Sequence, residues 1–175
     1  MEYMKDALEK YAGMEKRDLI LFPHRIAPEK QPEIFRDLAQ SLPEYEFVVC
    51  QDKQLSKDEY HKLLGEAKMV FSANTQETLG ISPYEGILVG AMPMVPDRLS
   101  YTEMYDDIWK YDSNWTSSYT NYQLNKEKLI DMIKNDMQNY ANKLPKLKDL
   151  EQKLTDKYFS AKNLLNTISS CLLYT

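Results

Sequence analysis

A chain of 175 residues with 43% hydrophobic and 28% charged residues has the make-up of one soluble globular domain with room for a three-layer core. Its formal charge of −5 leaves no general basic face, so direct nucleic-acid binding by this domain is not expected. No apolar run approaches the roughly 18–20 residues of a bilayer span, and the acid-bearing start Met1-Glu2-Tyr3-Met4-Lys5-Asp6 is no secretory signal.

Two histidines and the widely separated Cys50 and Cys171 match no metal or redox spacing. Both cysteines sit in apolar surroundings, the common setting of a buried free thiol, and a cytoplasmic location is the corresponding expectation.

Residues 1–17 read as an N-terminal helix or linker. Leu19-Ile20-Leu21-Phe22 then predicts a strand. Gln31 to Leu42 predicts a helix, because Ile34, Phe35, Leu38 and Leu42 recur at helical spacing and Pro32 suits a first helical position. Phe47-Val48-Val49-Cys50 predicts a second strand. A helix follows from Ser56, where Ser56 and Glu59 have capping-box spacing and Tyr60, Leu63 and Leu64 form the apolar face.

Met69-Val70-Phe71 predicts a third strand, and a polar loop leads from it to Ser82-Pro83-Tyr84-Glu85. Serine at N-cap, proline at N1 and glutamate at N3 predict a short helix there, ended by Gly90. Met92-Pro93-Met94-Val95-Pro96 predicts a fourth strand, whose prolines suit an edge or irregular pairing.

The polar stretch Tyr101 to Tyr122 predicts loops with one strand around Ile108-Trp109-Lys110-Tyr111. Three helices follow, marked by Leu129 to Tyr140, by Leu147, Leu150 and Leu154, and by Ala161 to Ile168 with Ser160 as cap. Strands alternating with helices, without hairpin turns, predict an α/β fold. Its Rossmann-like parallel sheet has helices on both faces and further helices at the C-terminal end.

In such sheets ligands bind beyond the carboxyl ends of the strands. The first loop, Pro23 to Lys30, carries Arg25 and Lys30 five positions apart, one planar fork and one point charge that together suit a diphosphate. Pairing with Glu29 and Glu33 is the competing reading. The loop after the third strand carries Glu77, with Glu85 eight positions on and Gly80 between them. A carboxylate accepts hydrogen bonds from vicinal hydroxyls such as those of ribose or a hexose. Glu85 also stands where a capping glutamate belongs, and the two roles weigh evenly. His24 is read as satisfying a loop carbonyl. The tyrosines 101, 105, 111, 119 and 122 are read as core and compositional bias at least as readily as an interface.

Arg25 and Lys30, the Glu77-to-Glu85 spacing and Gly90-Ala91-Met92-Pro93-Met94-Val95, in this order, resemble the C-terminal, donor-binding domain of group 1 (family 4) glycosyltransferases. These are retaining enzymes of the GT-B fold. The resemblance runs from about Leu19 to Glu103. It implies that 18–175 form a nucleotide-sugar-binding domain, one half of a GT-B enzyme, with a nucleoside-diphosphate sugar as donor and no cofactor or metal. Arg25 and Lys30 would hold the diphosphate, Glu77 the transferred sugar and Glu85 the ribose. The N–H groups of Thr78, Leu79, Gly80, Ile81 and Ser82 would support sugar and phosphates.

Two details depart from the family pattern. Thr78-Leu79-Gly80 stands where Gly-Phe-Gly is frequent, and one extra residue precedes Pro93. The family's acceptor domain is not found in this sequence, so an N-terminal acceptor domain or subunit is the implied partner, with Ser160 to Leu173 as a candidate contact. The alternative is a binding module that holds a nucleotide or nucleotide-sugar without transferring it. Dinucleotide, P-loop and phosphoacceptor folds lack their motifs here.

Overall fold

The computed structural model describes residues 2–76 and 79–160, with the backbone alone for 2–4. Five strands, β1 (Arg17–Phe22), β2 (Glu46–Val49), β3 (Ala67–Phe71), β4 (Met92–Pro96) and β5 (Lys110–Tyr111), form one all-parallel sheet in the order β2-β1-β3-β4-β5. This is the doubly wound order of flavodoxin-like sheets, with its switch point between β1 and β3. Seven helices accompany it among the described residues: α1 (Glu2–Glu9), α2 (Pro32–Ser41), α3 (Lys57–Glu66), α4 (Ile81–Leu88), α5 (Ser100–Met104), α6 (Tyr119–Gln138) and α7 (Tyr140–Lys157). None is long and apolar enough to cross a membrane.

The apolar run of β1 follows from its place in the middle of a sheet covered on both sides. Alternate side chains divide between two cores. Ile20 and Phe22 pack with Ile34, Phe35 and Leu38 of α2, and with Leu129 and Ile133 of α6 and Leu147, Leu150 and Leu154 of α7. Leu19 and Leu21 pack on the other face with Leu8 of α1 and Leu64 of α3. The tyrosines follow the core reading: Tyr101, Tyr105, Tyr111 and Tyr122 are buried, and Tyr119 alone of the five is exposed.

Three local expectations are corrected. The β4 prolines do not mark an edge, since β3 and β5 flank that strand. Ser72 N–H donates to Met94 O, so Met94 faces β3 and, by alternation, Pro93 faces the β5 side. There β5 pairs only with Val95 and Pro96, and the N–H that Pro93 lacks has no ladder acceptor to miss. The second correction concerns α4, which begins at Ile81 with Gly80 as a left-handed N-cap (φ 67°), so Ser82, Pro83 and Glu85 form no capping box. The third concerns the polar tyrosine-rich stretch, which already contains the first turn of α6; the Ser118 side chain accepts from Asn121 N–H there.

The box predicted at Ser56 and Glu59 is present in both directions. Gly90 ends α4 in the left-handed region (φ 87°), with Ala91 N–H to Gly86 O and Gly90 N–H to Ile87 O, the paired bonds of a Schellman motif. The expected helix from Ala161 to Ile168, and Cys171, lie outside the described residues.

Candidate functional site

Because α2 packs on one face while α3 packs on the other, where Gly86 of α4 also meets Val70 of β3, the chain leaves β1 and β3 in opposite directions. A crevice opens between their carboxyl ends. The loops that meet across it are the two singled out in the sequence. Pro23, His24, Arg25 and Lys30 from the first loop, with Leu79, Gly80, Ile81 and Ser82 from the third, line one groove of about 400 Å³. A second groove of about 550 Å³ adjoins it and shares Pro23, His24 and Arg25; Cys50, Gln51, Gln54, Leu55 and Tyr60 complete its walls. Arg25 therefore stands where the two grooves meet.

The first loop is pinned by its histidine. His24 is buried, and its Nε2–H donates to Phe71 O at 3.0 Å, tying the end of β1 to the end of β3. The ring also packs edge-on against Phe22. Arg25 is 70% exposed and donates to Glu29 at 2.7 Å, an i,i+4 pair of the kind worth about 0.5 kcal/mol, so an anion displaces Glu29 cheaply. Lys30 Nζ donates to Gln76 O at 3.2 Å, across the crevice.

The segment after β3 is held from both sides. From the first loop and α2, Glu29 O accepts from Thr75 N–H (2.7 Å) and Thr75 Oγ1 (3.1 Å), while Gln31 Nε2 donates to Ala73 O at 2.7 Å. From beyond β4, Arg98 donates to Asn74 O (2.7 Å) and Ala73 O (2.8 Å). Tyr101 and Tyr111 complete a buried polar layer: the Tyr111 hydroxyl donates to Ser72 O at 2.7 Å, and Asn74 Nδ2 donates to the Tyr101 hydroxyl at 3.2 Å. Gln31 and Arg98 were not singled out in the sequence. Their only local sign was position, each next to a strand's carboxyl-side loop.

Glu77 and Thr78 lie outside the described residues. Glu85 is displaced from its expected place. It occupies the second turn of α4, does not line either groove, and approaches His61 of α3, with Oε2 3.5 Å from Nε2. Burial pushes its carboxyl up to about 7, with Lys57 pulling the other way, and burial also lowers the His61 imidazole below its ordinary value. Near neutral pH the contact therefore joins a half-ionised acid to a neutral ring rather than two full charges. Tyr60 of the second groove, hydrogen-bonded to Ser82 of the first and raised in pKa chiefly by burial, joins the two. Tyr60 was read in the sequence only as an apolar-face residue.

No family model matches the chain, and no curated protein does.

What the site can do therefore follows from its own chemistry. Gly80 gives α4 no side-chain cap from its N-cap position. A helix start at the groove wall, beside a guanidinium and an ammonium, is an environment for a multiply charged anion. A larger cavity of about 610 Å³ lies at the opposite, amino edge of the sheet, between the residues preceding β1 and β4 and the helix α7. Its walls are mostly apolar. Its Lys16 is held by Val89 O, and burial lowers that ammonium to about 8. It lacks the convergence of fixed donors found at the switch point. Among the described residues no group of three or more His, Cys, Asp or Glu could hold a metal ion.

Proposed function

We propose that this chain is the donor-binding half of a retaining glycosyltransferase that takes a nucleoside-diphosphate sugar. The observation that carries the reading is the shared groove at the β1/β3 switch point, walled by Arg25 and Lys30 on one side and by residues 79–82 on the other. In this reading the diphosphate lies between the two cations and the α4 N-terminus. Glu77 keeps the sugar-contacting role that the family resemblance implies, and the nucleoside occupies the adjoining groove beside Gln51, Gln54 and Tyr60. Departure of a nucleoside diphosphate builds negative charge, and fixed cations and N–H groups stabilise that charge more in the transition state than before it. Arg25 and Lys30 supply the stabilisation that a metal provides in other transferases.

Glu85, turned toward His61 and outside both grooves, has no ligand contact in this reading. The acceptor, and the partner domain that presents it, come from outside the described site. We place the activity in the cytoplasm, the setting that suits the buried free thiol of Cys50.

Calorimetric titration of the full chain with UDP, GDP, ADP and the parent nucleosides tests the reading. One diphosphate binds, and Lys30→Ala weakens it about ten- to hundredfold while its nucleoside is held as before, since one charge-assisted contact is worth about 1.5–3 kcal/mol. Equal losses for diphosphate and nucleoside, or no binding by the wild type, contradict the assignment. The non-transferring binding module gives the same titrations, and turnover with an added acceptor domain separates the two.

A further inference from the structure

The cavity at the amino edge of the sheet holds an ammonium that the fold leaves without a counter-charge. Lys16 stands just before β1, and its Nζ donates to Val89 O at 2.5 Å, just before β4. Among the described residues no carboxylate forms an ion pair with it. Burial lowers the group to about 8, and no neighbouring charge opposes that shift. One hydrogen bond uses one of its three N–H donors, and the other two have no acceptor among the described residues. Gly90 makes room for the side chain, since a Cβ there would stand 3.3 Å from Lys16 Cε and 3.5 Å from Nζ.

The rest of the wall is of another kind. Ala12, Met14, Ile87, Leu88, Leu144 and Leu147 line the cavity, and its volume of about 610 Å³ falls in the range of small-molecule sites. Val89 O and Gly90 O already accept from Lys16 and from the Tyr140 hydroxyl (2.6 Å). The other charged groups, Lys148 and Glu151, belong to α7. Glu151 lies on the wall shared with an adjoining recess of about 290 Å³, together with Ala12 and Leu88, and Asp6 and Glu9 line that recess. Lys16 does not reach it, so the cavity has a cationic end at Lys16 and an acidic end at Glu151.

We propose that this cavity is a second ligand site, for an amphipathic monocarboxylate of the fatty-acid type whose carboxylate is held by Lys16 and whose chain lies along the apolar wall. Two carboxylate oxygens match the two N–H donors that remain, and a charge-assisted pair offsets the cost of keeping the ammonium out of water. A cationic head would meet Lys16 with like charge. A second carboxylate at the far end would meet Glu151, and a diphosphate brings more charge than one lysine answers and no apolar body for the walls. The site does not depend on the donor reading, since it shares no residue with either groove at the carboxyl edge.

The test is calorimetry of the full chain with decanoate, octanoate and decanol, each below the concentration at which it aggregates. Decanoate binds once per chain, and octanoate binds on the order of tenfold more weakly, because each buried CH₂ is worth about fourfold. Lys16→Met keeps an apolar stem and removes the charge. It weakens decanoate about ten- to hundredfold and leaves decanol within about twofold. Equal losses for the acid and the alcohol, equal affinity for the two chain lengths, or no binding of decanoate by the wild type would overturn the proposal. A second measurement needs no variant. Backbone amide shifts of the wild type with decanoate change at residues 13–16, 87–90 and 140–151, whereas changes at 24–30 and 79–82 instead would place the acid in the other site and overturn the assignment.

Discussion

Replacing Glu85 by glutamine should make the protein more stable at alkaline pH, a reversal of what removing an acid beside a histidine ordinarily does. The Glu85 carboxyl is buried, and its side chain is only 14% exposed. Burial raises it from an ordinary 4.5 to about 7, with Lys57 opposing. The native protein thus keeps the proton across a range in which the unfolded chain has released it. Stability falls as pH rises from about 4.5, and the full cost is present above about 7. That rise corresponds to about 3 kcal/mol, most of which develops between pH 5 and pH 8. His61 acts in the opposite sense. Its folded value lies below 6.5, so it takes stability away as pH falls, and it does so in both proteins. Urea unfolding of wild type and Glu85→Gln at several values from pH 5 to pH 8, followed by fluorescence of the buried Trp109, measures the difference. Nearly equal stability at pH 5, with the variant ahead by about 2–3 kcal/mol at pH 8, is expected. Parallel profiles, or a variant that falls behind as pH rises, would mean that Glu85 is held ionised by His61 and carries no burial penalty.

Further outcomes follow from local geometry. Ser56→Ala removes a formed capping box and costs about 1 kcal/mol by chemical denaturation, while Ser82→Ala in a Tyr60→Phe background, where neither cap nor Tyr60 contact is lost, costs clearly less. An equal loss at Ser82 in that background would restore the capping reading of α4. Gly80→Ala places a Cβ 3.0 Å from Tyr101 Cε1 at a φ of 67°, and a loss on the order of 1–2 kcal/mol is expected in thermal unfolding together with weakened diphosphate binding. Unchanged binding would show that the α4 start does not wall the ligand site.

Strand positions were legible because burial on both faces demands continuous apolar runs, and β1 and β3 supply them without ambiguity. The Ser56–Glu59 box was legible for a different reason: capping is local, and nothing distant competes with it. The same motif misled at Ser82. There Gly80 takes the left-handed cap while Tyr101 packs against it, a tertiary contact 21 positions away that no window of sequence contains. Displacing the helix start by this much carries Glu85 into the second turn and toward His61 rather than to the groove. His24 read correctly because a lone histidine on a strand-end loop has a carbonyl close at hand. Arg98 escaped notice because each of its acceptors is a neutral group from elsewhere in the chain, and no charge pattern marks them. What the sequence showed of the site was the meeting of Arg25 and Lys30 with residues 79–82, since both loops leave the carboxyl ends of adjacent strands.

Backbone amide shifts of the full chain, recorded while the tightest nucleoside diphosphate is added, show where the anion sits. Changes are expected to concentrate at residues 24–30 and 79–82, with a weaker set at 50–55 and 60. Changes confined to the opposite cavity, at Gly13 to Lys16 and Tyr140 to Glu151, would contradict that placement.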